Sequence, residues 1–282
     1  MPRFALVVAL LAALAACTST PSPPASPPAP DGSAPAPAQE KKIHLSIGDS
    51  YATGFAPGGK NTSFAQIVAD TAGLRLVNLA CDGATSADLA TRTACGPDAG
   101  GKTQLDAATE TLKGGDVDLV TIVIGGNDLT PCAIVQDPVE CATRTVAGIQ
   151  TNVAGVLTEL RVAAPDVKIV GLTYPDVFLG AWVNPSFPNG KNLARLSVTM
   201  FQDFNSRIAA QYGKFGARFA DVTTATGGYG ALTELTPDPK YGRIPGSVAR
   251  VCSLTYFCDR TDVHPTPAGH QAIAEAVTAA SR

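Results

Sequence analysis

The sequence predicts an α/β fold of three layers, with helices covering both faces of a five-stranded parallel sheet. Three observations lead there. Short apolar runs rich in β-branched residues recur along the chain and stop at glycine, as in Ile43–Ile47 before Gly48 and Asp118–Ile124 before Gly125-Gly126. Between them lie segments whose apolar residues recur at helical spacing. With 282 residues, 45% hydrophobic and only 16% charged, the chain can bury one substantial core, and its length suits one domain with a tail.

Taken in order, Ile43–Ile47 reads as the first strand. Ser63–Ala72 follows as a helix, with Phe64, Ile67 and Val68 on one side. Leu74–Ala80 is a second strand and Gln104–Leu112 a short helix. Asp118–Ile124 is the most strand-like run of the chain. Thr143–Ala163 is a long amphipathic helix closed by Pro165, and Val167–Leu172 a fourth strand. Leu193–Tyr212 is helical, Ala217–Val222 is a short fifth strand, and the last helix starts at Pro267, where proline suits the first turn. Strict alternation of this kind gives parallel strands joined by helical crossovers, with ligands gathering at the carboxyl ends of the strands. Two stretches, Phe178–Asn192 and Thr223–Arg260, are long for connectors and are expected to shape a cleft. Trp182, the only tryptophan, lies in the first of them, either in the core or in the cleft wall.

The amino-terminal residues read as an export signal. Arg3 precedes the apolar run Phe4–Ala16, which is too short to span a bilayer. The run ends in Leu14-Ala15-Ala16-Cys17, matching a bacterial lipobox, so residues 1–16 are expected to be removed and Cys17 to carry lipid. Residues 17–41, mostly Pro, Ala and Ser, form an extended tether, and the folded domain spans 42–282. These features place the protein outside the cell membrane, held to it through Cys17. Net charge is −3 with no run of Lys or Arg, which argues against a nucleic-acid partner. A monomer is expected.

Six cysteines remain beyond Cys17, an even number that suits disulfides in an exported chain. They fall into close pairs in sequence: Cys81–Cys95, Cys132–Cys141 and Cys252–Cys258. A zinc site is disfavoured, because no CxxC occurs and no second histidine lies near these cysteines.

The chemistry is concentrated after the strands. Gly48-Asp49-Ser50 follows the first strand directly, a turn that would lift a serine hydroxyl above the strand end. A serine nucleophile needs a base, and the chain has three histidines. His44 sits at the far end of the first strand and His270 within the last helix. His264, in the loop before that helix, is the best base. Gly125-Gly126-Asn127-Asp128 follows the third strand, where the Asn127 amide could donate to a developing oxyanion. Cys81-Asp82-Gly83-Ala84-Thr85 follows the second, with the Gly83 N–H similarly exposed. Asp49 and Asp128 read as acceptors that stabilise turns.

Gly48-Asp49-Ser50, Gly83, Gly125-Gly126-Asn127-Asp128 and His264-Pro265 resemble, in order, the four blocks of the SGNH/GDSL hydrolases. The resemblance covers about residues 43–281 and leans toward the secreted actinobacterial esterase/lipase branch, here as a lipoprotein. It implies a flavodoxin-like sheet and a carboxylic ester hydrolase that needs no cofactor or metal. Ser50 would attack lipid, aryl or polysaccharide acyl esters, with His264 as base. The oxyanion would be held by the Ser50 and Gly83 N–H groups and by Asn127, and an acyl-enzyme would follow.

One position departs from the family pattern. The acid usually stands three residues before the histidine, where this chain has Thr261. Asp262 and the Thr261 carbonyl remain open as the group that orients His264, with Asp259 behind them. Gly54–Lys60 matches GxxxxGK superficially, but Asn61 stands where a magnesium-binding hydroxyl belongs. No GxSxG elbow is present. The alternative to an enzyme is an inactive, surface-anchored binding protein on the same fold.

Overall fold

The computed structural model describes residues 40–282. The signal segment, Cys17 and nearly all of the tether lie outside the described residues.

Five parallel strands form the sheet: β1 (Ile43–Gly48), β2 (Arg75–Asn78), β3 (Val117–Val123), β4 (Lys168–Leu172) and β5 (Arg218–Ala220). Their order is β2-β1-β3-β4-β5, the flavodoxin-like arrangement, in which the chain reverses direction across the sheet between β1 and β3. Central parallel strands are covered on both faces, so even the polar residues of β1, His44 and Ser46, are buried. β1 is buried along its whole length. The five strands expected from the sequence are all present.

Helices α1 (Phe64–Ala72), α2 (Gln104–Lys113), α3 (Pro138–Ala163) and α4 (Gly190–Gly213) connect the strands in turn. After β5 come α5 (Gly246–Leu254), α6 (Phe257–Arg260) and α7 (Pro267–Ser281). α1 and α7 pack together on one face of the sheet, while α2, α3 and α4 form the other layer. Leu45, Ile47, Val120, Ile122 and Leu172 lie in the core between the layers. Burying such a side chain stabilises the fold by about 1.5–3 kcal/mol. Among the described residues no helix is long and apolar enough to cross a membrane.

Two boundaries shift from the sequence reading through a side chain. β2 ends at Asn78 because the Asn78 amide donates to the Ala52 carbonyl (2.8 Å) and its oxygen accepts from the Ala80 N–H (3.1 Å). α3 starts at Pro138, five residues earlier than expected, because Asp137 caps the Glu140 N–H (2.9 Å) and proline occupies the first turn. The stretch 223–260 is not irregular. It holds an antiparallel hairpin (Leu235–Asp238 with Gly242–Pro245), α5 and α6.

The three disulfides pair Cys81–Cys95, Cys132–Cys141 and Cys252–Cys258. Each lies beside a loop that follows a strand or precedes α7. The first closes the loop after β2, the second ties the turn after β3 to the start of α3, and the third joins α5 to α6.

Two buried polar groups shape stability. His44, within β1, has Nδ1 3.1 Å from the Ala65 carbonyl and Nε2 2.9 Å from the Thr121 hydroxyl, and burial lowers its pKa to about 4. It is a neutral structural histidine. Asp176, after β4, is fully buried and accepts from Ser197 (2.7 Å), and burial raises its pKa to about 7. A carboxyl whose folded pKa is raised binds its proton more tightly in the native state. Its contribution is therefore complete below about pH 4 and is lost as pH rises through about 7. Asp176→Asn is expected to flatten the fall in stability between pH 5 and pH 8 by a few kcal/mol, read by urea unfolding at the two values. An unchanged difference between them would contradict an ionising Asp176.

Candidate active site

β1 brings Ser50 to the site. Gly48, at the strand end, has φ 141°, and a Cβ there would lie 2.1 Å from the Val123 carbonyl oxygen. Only glycine lets β1 and β3 approach this closely before the turn. Asp49 caps the one-turn helix Ser50–Thr53 by accepting from the Tyr51 N–H (3.0 Å). Its other oxygen accepts from the Tyr174 hydroxyl (2.5 Å), which in turn accepts from the Gly126 N–H (3.0 Å). Burial raises Asp49 to about pKa 7 and holds the Tyr174 phenol well above its ordinary range. A buried hydrogen-bond chain thus joins the turn after β1 to the turn after β3.

His264 arrives from the loop between α6 and α7. Its Nε2 lies 2.8 Å from Ser50 Oγ, and its Nδ1 lies 2.8 Å from Asp262 Oδ1. The same carboxylate oxygen accepts the His264 backbone N–H (2.9 Å). If Ser50 donates to Nε2, the ring proton sits on Nδ1 and faces the carboxylate. Asp262, two residues before the histidine, reaches it because Thr261 takes a left-handed backbone (φ 56°), the one positive φ outside glycine among the described residues. For a β-branched residue this conformation costs on the order of 1–2 kcal/mol. The bond at Nδ1 therefore goes to the Asp262 side chain, while Asp259 is occupied by Lys240 and Tyr241.

Two aromatic residues hold this loop in place. The Tyr51 hydroxyl donates to the Val263 carbonyl (2.5 Å), tying the Ser50 turn to the residue before His264. The Phe55 ring lies 4.4 Å from the imidazole. Phe55 belongs to the Gly54–Lys60 segment, whose Phe55–Ala56 pairs with Gly59–Lys60 in a small hairpin. His270 lies within α7, buried, with Nδ1 accepting from the Phe64 N–H (3.3 Å) and its pKa lowered by burial to about 4.

The loops after β2 and β3 are joined by a hydrogen bond from the Asn127 amide to the Ala84 carbonyl (2.9 Å). That bond uses one amide hydrogen and leaves the other available. Gly83 has φ 73° and nothing near the position of a Cβ, so its backbone alone requires glycine. Its neighbour Asp82 accepts from Thr53, at the end of the Ser50 turn. Asp128 accepts from the Ser86 N–H (2.8 Å) and hydroxyl (2.6 Å), bracing the same pair of loops. Among the described residues no group of three or more His, Cys, Asp or Glu side chains could hold a metal ion.

Tyr174 and Phe55 were not singled out from the sequence. Tyr174 carried one usable signal, its place directly after a strand end, in Thr173-Tyr174-Pro175. Phe55 carried none, because its contact with His264 exists only in the folded chain.

A sheet of this order with Ser, His and Asp in hydrogen-bonded series at its carboxyl edge is the arrangement of an α/β hydrolytic fold. Residues 46–272 match the GDSL-like lipase/acylhydrolase family, and the chain belongs to that family, which makes it a carboxylic ester hydrolase. Among curated proteins it is similar to Lipase 2 of Streptomyces coelicolor, 24% identical over 86% of each chain. Among solved structures it is similar to an extracellular lipase of Streptomyces rimosus (TM-score 0.59, 20% identity, covering 85% of this chain and 99% of that one). The phospholipase A1 of Streptomyces albidoflavus shares the fold at TM-score 0.54 and 17% identity, over 85% of this chain and 99% of the other.

Proposed function

We propose that Ser50 is the nucleophile of this hydrolase, acting through an acyl-enzyme, with His264 as general base and Asp262 orienting it. The observation that carries this reading is the continuous series Ser50 Oγ–His264 Nε2 and His264 Nδ1–Asp262 Oδ1, 2.8 Å at each step. His264 would take the Ser50 proton as Oγ attacks the ester carbonyl and return it to the departing alcohol. Water would then enter by the same route and free the acid. The Ser50 and Gly83 N–H groups and the second Asn127 amide hydrogen are the proposed donors to the tetrahedral oxyanion.

The substrates proposed are acyl esters of lipids, aryl alcohols or polysaccharides, drawn from the family and from the lipase and phospholipase relatives. Export, with lipid anchoring at Cys17, is proposed from the leader sequence, the disulfides and an extracellular relative. The test is a fluorophosphonate probe, which forms a covalent bond only with an activated serine. It is expected to label the wild-type chain and not Ser50→Ala. Equal labelling of both would place the nucleophile elsewhere.

A further inference from the structure

The segment leading from β4 into α4 carries charge of one sign. Between Val177 and Gln202 the chain has no Asp or Glu, yet Lys191 and Arg195 stand one helical turn apart, in a protein of net charge −3. Both cations lie against the half-buried Trp182: the Lys191 ammonium is 5.4 Å from the ring centroid and the Arg195 guanidinium 5.2 Å. Among the described residues neither has a carboxylate partner. Arg195 donates only to the Lys191 carbonyl and the Asn192 side chain on its own helix. Two neighbouring positive charges are thus left for an outside anion to neutralise.

Trp182, Asn184 and Lys191 line a cleft of about 440 Å³. Asn184 also donates to the Thr261 hydroxyl (3.1 Å), so the cleft wall is bonded to the residue before Asp262. Leu196, 46% exposed, follows Arg195 on the same helix. Cations above an indole with an exposed leucine beside them match the border between lipid phosphates and acyl chains, where tryptophan is favoured.

We propose that the Lys191 and Arg195 pair over Trp182, at the edge of this cleft, binds the phosphate of an anionic phospholipid in a bilayer. The Arg195 guanidinium supplies a planar fork for two phosphate oxygens, and Lys191 supplies a point charge beside it. Trp182 and Leu196 enter the interfacial layer. The site rests on the Ser50 reading only for its benefit, which is to set the catalytic loop against a surface rich in esters.

Trp182 is the only tryptophan, so its fluorescence reports on this cleft alone. The full chain carrying Cys17→Ser, which removes the lipid anchor, is titrated with phosphatidylglycerol vesicles, phosphatidylcholine vesicles and inorganic phosphate. A saturable change is expected with phosphatidylglycerol and a much weaker one with phosphatidylcholine. Adding Lys191→Ala and Arg195→Ala is expected to weaken vesicle binding roughly 30-fold, at the usual contribution of a basic residue near an anionic surface. Hydrolysis of soluble p-nitrophenyl acetate should stay unchanged in that variant. Equal binding to both lipids, or equal binding by the variant, would overturn the proposal. Saturation by inorganic phosphate with no response to vesicles would overturn the lipid assignment. Vesicle binding without any ester hydrolysis would sink the Ser50 reading and leave the binding site standing.

Discussion

Ser50→Ala is expected to lower kcat on p-nitrophenyl acetate by about 10⁴- to 10⁶-fold while leaving KM and the melting temperature nearly unchanged. The loss is large because Oγ is the atom that attacks, and a methyl group offers no substitute. What remains is water attack helped by the oxyanion donors at Gly83 and Asn127, which the substitution does not touch. Stability should survive because Ser50 Oγ makes a single side-chain hydrogen bond, to His264. That imidazole stays held by Asp262 at Nδ1, by its own backbone N–H to the same carboxylate, and by contact with Phe55. Residual turnover above about one per cent in a preparation free of wild-type enzyme would mean another nucleophile. His264→Ala should cost a similar factor, and the double variant little more, since the two groups act as one unit.

How much of this was legible beforehand depends on where the information resides. β3 could be read because a strand covered on both faces is dense in apolar, β-branched residues, and Val117–Val123 has Val, Leu or Ile at five of its seven positions. The hairpin at Leu235–Pro245 could not, because Pro237, Pro239 and Pro245 read as breakers, although two short edge strands tolerate them. The pairing of Ser50 with His264 at 2.8 Å follows the sequence reading, which rested on elimination among three histidines and on position after a strand. Asp49 appeared as a turn acceptor, and it is one. Its complete burial raises its pKa to about 7 although the Tyr174 hydroxyl favours the charged form, and no local spacing encodes that burial. The choice between Asp262 and the Thr261 carbonyl turned on the sign of a single backbone angle, at Thr261. Threonine avoids that conformation, so its identity gave no hint of the Asp262–His264 contact.

Asp262→Asn is expected to lower kcat by about 10²- to 10⁴-fold with little change in KM. The carboxylate does two things at once: it fixes the proton on Nδ1, and it stabilises the imidazolium that forms when Ser50 is deprotonated. Asparagine keeps the shape and loses the charge, and its amide can turn an N–H toward Nδ1, which selects the wrong tautomer. The side chain of Asp262 is 24% exposed, so solvent screens part of the effect, and the lower half of the range is the more natural outcome. Near-normal turnover would return the orienting role to the Thr261 carbonyl. A merely structural role would also depress activity, and the His264→Ala background separates the two. If Asp262 acts through the imidazole, adding Asp262→Asn to His264→Ala changes kcat by less than about threefold, whereas a collapsed loop would add its full cost.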